Sequence, residues 1–168
     1  MVTPSALPAA FTSGQVLTAA DQNLIRGAFR VLQVVSTDYG TPAANSTSTY
    51  ADTGLTLNIT PQYSTSKVLA LAVQNGCGKE AGNNSSSLDV QLLRGATVLG
   101  FASGGETGSS VVNYFGTIML AYLDSPASTS ALTYKTQFRN YANAASVRVQ
   151  TGATNNPKSM MILMEISA

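Results

Sequence analysis

The sequence contains no histidine, no tryptophan and a single cysteine, Cys77. Without histidine the chain lacks the side chain that most often serves as a general base or metal ligand, and it cannot build a Ser-His or Cys-His nucleophile. One cysteine cannot form an intrachain disulfide. The sequence also has no calcium-loop spacing, phosphate-binding glycine loop or paired-cysteine motif. We therefore expect a protein without a bound cofactor or metal.

Charge is also scarce, because only 10% of the 168 residues are charged against roughly 25% in an ordinary soluble domain. Nine basic and eight acidic side chains give a net charge of +1, so nothing attracts nucleic acid or an anionic membrane. No apolar run approaches the roughly 20 residues of a membrane-spanning helix, and the first residues lack the pattern of a signal peptide. A surface rich in Ser, Thr and Asn suits stable subunit contacts, since few charges must be desolvated there.

The sequence does contain the alternation of apolar and polar residues that is typical of β-strands. Leu55, Leu57 and Ile59 alternate with polar residues, which is typical of a half-buried strand. Residues 68–73 are apolar or small on both faces, which predicts a strand buried on both sides. Further strands are predicted at 31–35, 88–93, 98–102, 111–123, 132–138, 147–150 and 160–166. Eight or nine strands indicate an all-β sandwich, jelly roll or barrel.

The prediction extends to the core and the loops. The longest apolar strands should lie inside the sheets, and the connecting loops should fall at 36–52, 75–87 and 103–110, where Gly, Ser, Thr and Asn accumulate. Cys77 is then expected in a glycine-flanked turn. The side chains predicted to be largely buried are Leu69, Leu71, Ile118, Leu120 and Ile162.

The first thirty residues differ from the rest. Residues 1–10 form a Pro/Ala arm without periodicity, and residues 11–29 hold the one clear helical pattern, in which Thr18 and Asp21 form a capping box. A helix of about three turns is not stable alone in water, so it must dock on its own domain or on another subunit. We therefore divide the chain into an attachment segment, 1–30, and a β-domain, 31–168. The candidate attachment residues are Phe11, Leu17, Leu24, Ile25 and Phe29.

Eight carboxylates remain as possible catalytic groups, and most of them occur at turns or caps. A carboxylate pair could hydrolyse a glycosidic bond. Glu165, within the apolar segment MMILMEIS, either faces solvent at an alternate strand position or pairs with an arginine such as Arg148. The seven tyrosines could stack on sugars, although strands are rich in tyrosine for other reasons.

Several segments resemble one group of proteins. The segment FTSGQVLTAADQNLIRGAF is similar to an N-terminal segment of small tail-fibre-like and other virion proteins of tailed bacteriophages. The segments TGLTLNITPQYSTSKVLALAV, VQLLRGATVLG, LTYKTQFRN and MMILMEI resemble the same group in the same order, so the resemblance covers residues 11–166. It implies a virion structural protein without enzymatic activity, with a jelly-roll-like domain that commonly forms a trimer. The chain lacks the coiled-coil or repetitive shaft of a full-length fibre.

Three hypotheses for function follow. The favoured one is a homotrimeric capsid decoration protein, assembled in the host cytoplasm and held in the virion by contact of its N-terminal arm with the major capsid protein or a tail protein. The second is a tail-fibre or tip subunit that recognises host surface glycans through polar loops and tyrosines. The third, a carboxylate-dependent polysaccharide hydrolase, is disfavoured by the missing histidine and the scattered acids.

Overall fold

The computed structural model describes residues 13–14, 16, 18–19, 30–82, 85–106, 110–142, 145–152 and 154–167. These residues form ten strands and no helix that could cross a membrane. The strands are β1 (Val31–Tyr39), β2 (Ala43–Asn45), β3 (Ala51–Ile59), β4 (Lys67–Lys79), β5 (Ser87–Arg94), β6 (Thr97–Glu106), β7 (Asn113–Asp124), β8 (Leu132–Asn140), β9 (Val147–Val149) and β10 (Ser159–Ile166).

The strands form two antiparallel sheets. In sheet A the long strands lie in the order β1, β10, β4, β7, and the short strands β9 and β2 continue the sheet beside the second half of β4. In sheet B the order is β3, β8, β5, β6. This arrangement of eight long strands is the jelly-roll topology. The predicted jelly-roll-like sandwich is therefore confirmed, with ten strands rather than eight or nine.

The core lies between the sheets and is built from alternate strand residues. Leu55 and Leu88 from sheet B and Leu163 from sheet A are all fully buried, as expected when one face of each sheet meets the other. Ile118 and Leu120 on β7 are also buried, as predicted. Each fully buried side chain of this size adds roughly 1.5–3 kcal/mol to the hydrophobic stabilisation.

The strands extend into segments that were predicted to be loops. Strand β4 continues through the polar residues to Lys79, because its ladder with β7 persists past a register shift at Cys77. Strand β2 lies inside the predicted 36–52 loop, and β6 runs on to Glu106. Main-chain hydrogen bonding does not depend on apolar side chains, so hydrophobic patterning alone placed these strand ends too early.

Cys77 consequently lies in strand β4 and not in a turn. Its side chain is fully buried, and its Sγ donates a hydrogen bond to the Gln74 carbonyl at 3.2 Å. Burial raises the pKa of the Cys77 thiol to about 12. The thiolate, which is the reactive form, is therefore scarce at neutral pH.

Arg30, directly before β1, is fastened to the other end of the described chain. The Arg30 amide donates to the Ser167 hydroxyl at 2.8 Å, and the Ser167 amide donates to the Arg30 carbonyl at 2.9 Å. Arg30 and the last described residue, Ser167, therefore lie together beside β1, the edge strand of sheet A. The predicted helix lies almost wholly outside the described residues and stays a prediction, as do the attachment residues Phe11, Leu17, Leu24, Ile25 and Phe29.

Candidate interaction surfaces

The outer face of sheet A is apolar along β10, β4 and β7, and β1 adds Val34 to it beside the polar Ser36 and Asp38. Pairing between strands places its side chains in three rows, one of which runs through Ile162, Leu71 and Ala121. Four strands span about 14 Å from the first to the last. We call this surface the apolar face; it consists of Val34, Leu69, Leu71, Val73, Met119, Ala121, Leu123, Met160, Ile162 and Met164.

Much of the apolar face is in contact with solvent in the single chain. Met119 is 68% exposed and Val34 is 55% exposed. Leu69, Leu71 and Ile162, predicted to be largely buried, are only half-buried, because sheet B covers the inner side of β4 and β10 and nothing among the described residues covers the outer side. The largest exposed apolar patch of a soluble protein is often functional. The face is therefore a candidate protein-protein interface.

The outer face of sheet B is different, since it carries a network of paired polar side chains. Gln91 Nε2 donates to Gln137 Oε1 at 2.8 Å, and Gln137 Nε2 donates to Asp52 Oδ1 at 2.8 Å. The Lys135 ammonium lies 2.9 Å from the same Asp52 carboxylate. These contacts hold the side chains of three neighbouring strands in one fixed arrangement.

A cavity of about 360 Å³ opens on the same face, between β5, β6 and β8. At its floor the Arg139 Nε donates to Asp89 Oδ2 at 3.0 Å, and the Arg139 guanidinium lies 4.8 Å from the centre of the Tyr50 ring. The cavity is lined by Ser87, Asp89, Phe101, Ser103, Arg139 and Tyr141. Its donors, acceptors and rings can bind a small polar molecule by hydrogen bonding and stacking.

A second cavity, of about 390 Å³, lies where β4 passes its register shift. Gly76 adopts a positive φ of 60° there, and a Cβ at this position would lie 2.5 Å from the Thr151 amide nitrogen, so the close approach requires glycine. Within the described part of the chain, no three acidic or cysteine side chains are placed to hold a metal ion.

Asp124 forms a buried polar cluster that connects the two sheets. It ends β7 in sheet A, and its Oδ2 accepts from Arg94 at 2.5 Å and from the Tyr134 hydroxyl at 2.6 Å. Arg94 and Tyr134 both belong to sheet B. Burial raises the pKa of the Tyr134 phenol, and the hydrogen bond to Asp124 raises it further. Tyr134 is therefore a neutral donor to the Asp124 carboxyl group.

Glu165 matches neither of its two sequence-based interpretations. Its side chain is fully buried rather than solvent-facing, and Arg148 pairs instead with Glu80 at 2.5 Å. The Glu165 carboxylate accepts from the Gln33 side chain at 2.6 Å and from the Gln62 amide at 2.8 Å. Glu165 thus fastens the loop between β3 and β4 to the end of β10.

The Glu165 contacts predict a pH-dependent contribution to stability. Burial opposes ionisation of Glu165, but the hydrogen bonds from Gln33 and the Gln62 and Tyr63 amides outweigh it and hold the pKa below the ordinary value of 4.5. The stabilisation is therefore present above pH 4.5 and is lost as the pH falls through the lower folded-state pKa. Glu165→Gln should lower the free energy of unfolding at pH 7, and the difference from wild type should shrink towards pH 3. Denaturant titrations at several pH values measure this.

Asp38→Asn is the control, since Asp38 is an exposed carboxylate paired with Lys158. We expect Asp38→Asn to lower the free energy of unfolding at pH 7 by less than Glu165→Gln does. If Glu165→Gln lowers the free energy of unfolding equally at pH 7 and pH 3, the stabilisation does not come from the ionised Glu165 carboxylate.

Comparison with protein families and with curated proteins gave no match to this chain. The cavity on sheet B was missed by the sequence reasoning. Its residues do carry a signal, because Asp89, Phe101 and Arg139 occupy outward alternate positions on three strands. The signal could not be used without the strand register, which brings Asp89 beside Arg139 although they are 50 residues apart in sequence.

Proposed function

We propose that the protein is a non-enzymatic structural subunit of a tailed-bacteriophage particle. In this proposal it is a capsid decoration protein that forms a homotrimer and attaches through residues 1–30. The observation that carries the proposal is the apolar face, a surface suited to permanent burial. The segments that resemble virion proteins support the phage setting.

Further copies of the same chain are the best occupants for the apolar face. The centre of the face contains no charged side chain, and permanent subunit interfaces resemble a protein core cut in half. A homo-oligomer with closed symmetry buries the same patch on every subunit. The trimer in particular rests on the resemblance to virion proteins.

Residues 1–30 suit attachment to a second protein. The last of them, Arg30, is hydrogen-bonded to Ser167 beside the edge of sheet A. An extended arm before an amphipathic helix can bind by strand addition or by docking the helix in a groove. Ordering the arm costs roughly 1–2 kcal/mol per residue, so binding has to compensate for that loss.

Removing this segment should abolish particle binding. A variant that lacks residues 1–18 and carries Leu24→Ser and Phe29→Ser should keep the β-domain folded, because the core lies in 31–168. It should fail to bind particles that lack the native protein. Co-sedimentation with such particles measures binding, and circular dichroism checks the fold.

The matched control is the full chain with Val98→Ser, which changes an exposed apolar residue on sheet B. That variant should bind as wild type does. If the truncated variant binds equally well, the attachment segment is wrongly assigned. Mass spectrometry of separated heads and tails should find the protein with the heads; a tail location would overturn the capsid assignment.

A further inference from the structure

The cavity on the outer face of sheet B combines a partly buried ion pair with two exposed aromatic rings. Asp89 is only 3% exposed, whereas Phe101 is 55% exposed and Tyr141 is 67% exposed. We propose that this cavity binds a neutral saccharide. The inference goes beyond the structural role proposed above and uses none of the residues on which that role depends.

The polar floor of the cavity offers hydrogen-bond acceptors and donors side by side. The Asp89 carboxylate accepts from Arg139 through Oδ2, and an ionised carboxylate has about four lone-pair sites in all. The Arg139 side chain is still 30% exposed and has five N–H donors in all. An acceptor and a donor are therefore adjacent, and a sugar hydroxyl can satisfy both kinds of group.

The charges on this face favour a neutral ligand. Asp89 and Arg139 neutralise each other, and Asp52 neutralises Lys135 on the neighbouring strands. The other polar groups that line the cavity are hydroxyls, including those of Ser87 and Ser103. A phosphate or a carboxylate would meet no unpaired cation there and would be repelled by Asp89. Binding of an acidic glycan is therefore disfavoured.

The rings favour a saccharide over other neutral polar molecules. A sugar ring has an apolar C–H surface as well as hydroxyls at its rim, and aromatic side chains offer a flat apolar surface. The cavity volume of about 360 Å³ falls within the range of roughly 300–1,000 Å³ found for small-molecule sites. The Arg139 side chain is already held by Asp89 and by the Tyr50 ring, so little ordering cost remains on binding.

The site also lies on the correct side of the sandwich for access. Sheet B faces away from the apolar face of sheet A, so assembly through the apolar face leaves the cavity open. Phe101 lies on β6, the edge strand of sheet B, where one side of the strand has no neighbour in the sheet. A longer glycan can therefore extend beyond the cavity over this edge.

Titration of the full chain with defined oligosaccharides tests the proposal. The probes are maltotetraose, mannotetraose and chitotetraose as neutral glycans, and tetragalacturonic acid as the acidic comparison, with binding followed by calorimetry and by amide chemical shifts. At least one neutral probe should bind and the acidic probe should not. Phe101→Ala and Tyr141→Ala should each weaken binding by about tenfold or more, which corresponds to about 1.4 kcal/mol.

Tyr63→Ala is the matched control, since it removes an exposed ring in the loop between β3 and β4 and should leave the affinity unchanged. Asp89→Asn tests the polar floor with little change in side-chain volume. Phe101→Ala and Tyr141→Ala test the site independently, even if Asp89→Asn does not fold. The proposal is overturned if no neutral probe binds at about 10 mM, if only the acidic probe binds, or if both ring variants bind as wild type. Oligomeric mass and particle binding should equal those of the wild type in every variant. A failure of the saccharide proposal can therefore be distinguished from a failure of the proposed structural role.

Discussion

The double substitution Leu71→Lys and Ile162→Lys is expected to convert the proposed trimer into a folded monomer. The two residues are cross-strand partners at the centre of the apolar face. Burying an ammonium group without a partner costs several kcal/mol, so the subunit contact should be lost. In the free chain the lysine stem can lie along the sheet while the ammonium reaches water, so the β-domain should remain folded.

Light scattering coupled to size-exclusion chromatography at micromolar concentration measures the change in mass. The matched control is Thr56→Lys with Val98→Lys, which adds the same two charges to exposed positions on sheet B. That control should keep the mass of the wild-type assembly. A monomeric wild-type protein, or a double variant of Leu71 and Ile162 that keeps the assembled mass, would refute the role of the apolar face.

Asp124→Ala is expected to lower the free energy of unfolding by about 3–5 kcal/mol. Asp124 is 5% exposed, and its carboxylate accepts from both Arg94 and the Tyr134 hydroxyl. Its removal leaves a guanidinium and a buried phenol without their shared partner, which is more costly than never having made the contact. The cluster also connects β7 of sheet A to sheet B, so its loss should loosen the contact between the two sheets.

Asp52→Ala is the same chemical change at an exposed ion pair, since Asp52 lies 2.9 Å from Lys135 on the outer face of sheet B. Exposed pairs contribute about 0–1 kcal/mol, so the control should lose far less stability. Urea titrations of the two variants and the wild type provide the comparison. Equal losses for the two substitutions would mean that Asp124 does not connect the sheets as described.

The alternation of apolar residues was enough to predict the fold class, because Leu55, Leu57 and Ile59 and the corresponding residues of other strands show which segments pair on a buried face. It also showed that residues 68–73 are apolar on both sides, although a single chain buries only one of them. Other features depend on the tertiary arrangement. Glu165 shares the inward face of β10 with Met161 and Leu163. Its carboxylate is satisfied there by amides of the loop between β3 and β4, and no local pattern shows such a loop contact.

The reciprocal hydrogen bonds between Arg30 and Ser167 determine from which end of the sandwich an inserted peptide or a fused tag would project. The strand pairing places the hairpin between β5 and β6 at the same end of the sandwich as this corner, and the last residues of β1, β4 and β8 at the opposite end. A peptide inserted directly after one of these strands would project from the end of the sandwich opposite to Arg30. A tag that follows Ser167 would instead begin at the corner where Arg30 lies, next to the start of the proposed attachment segment.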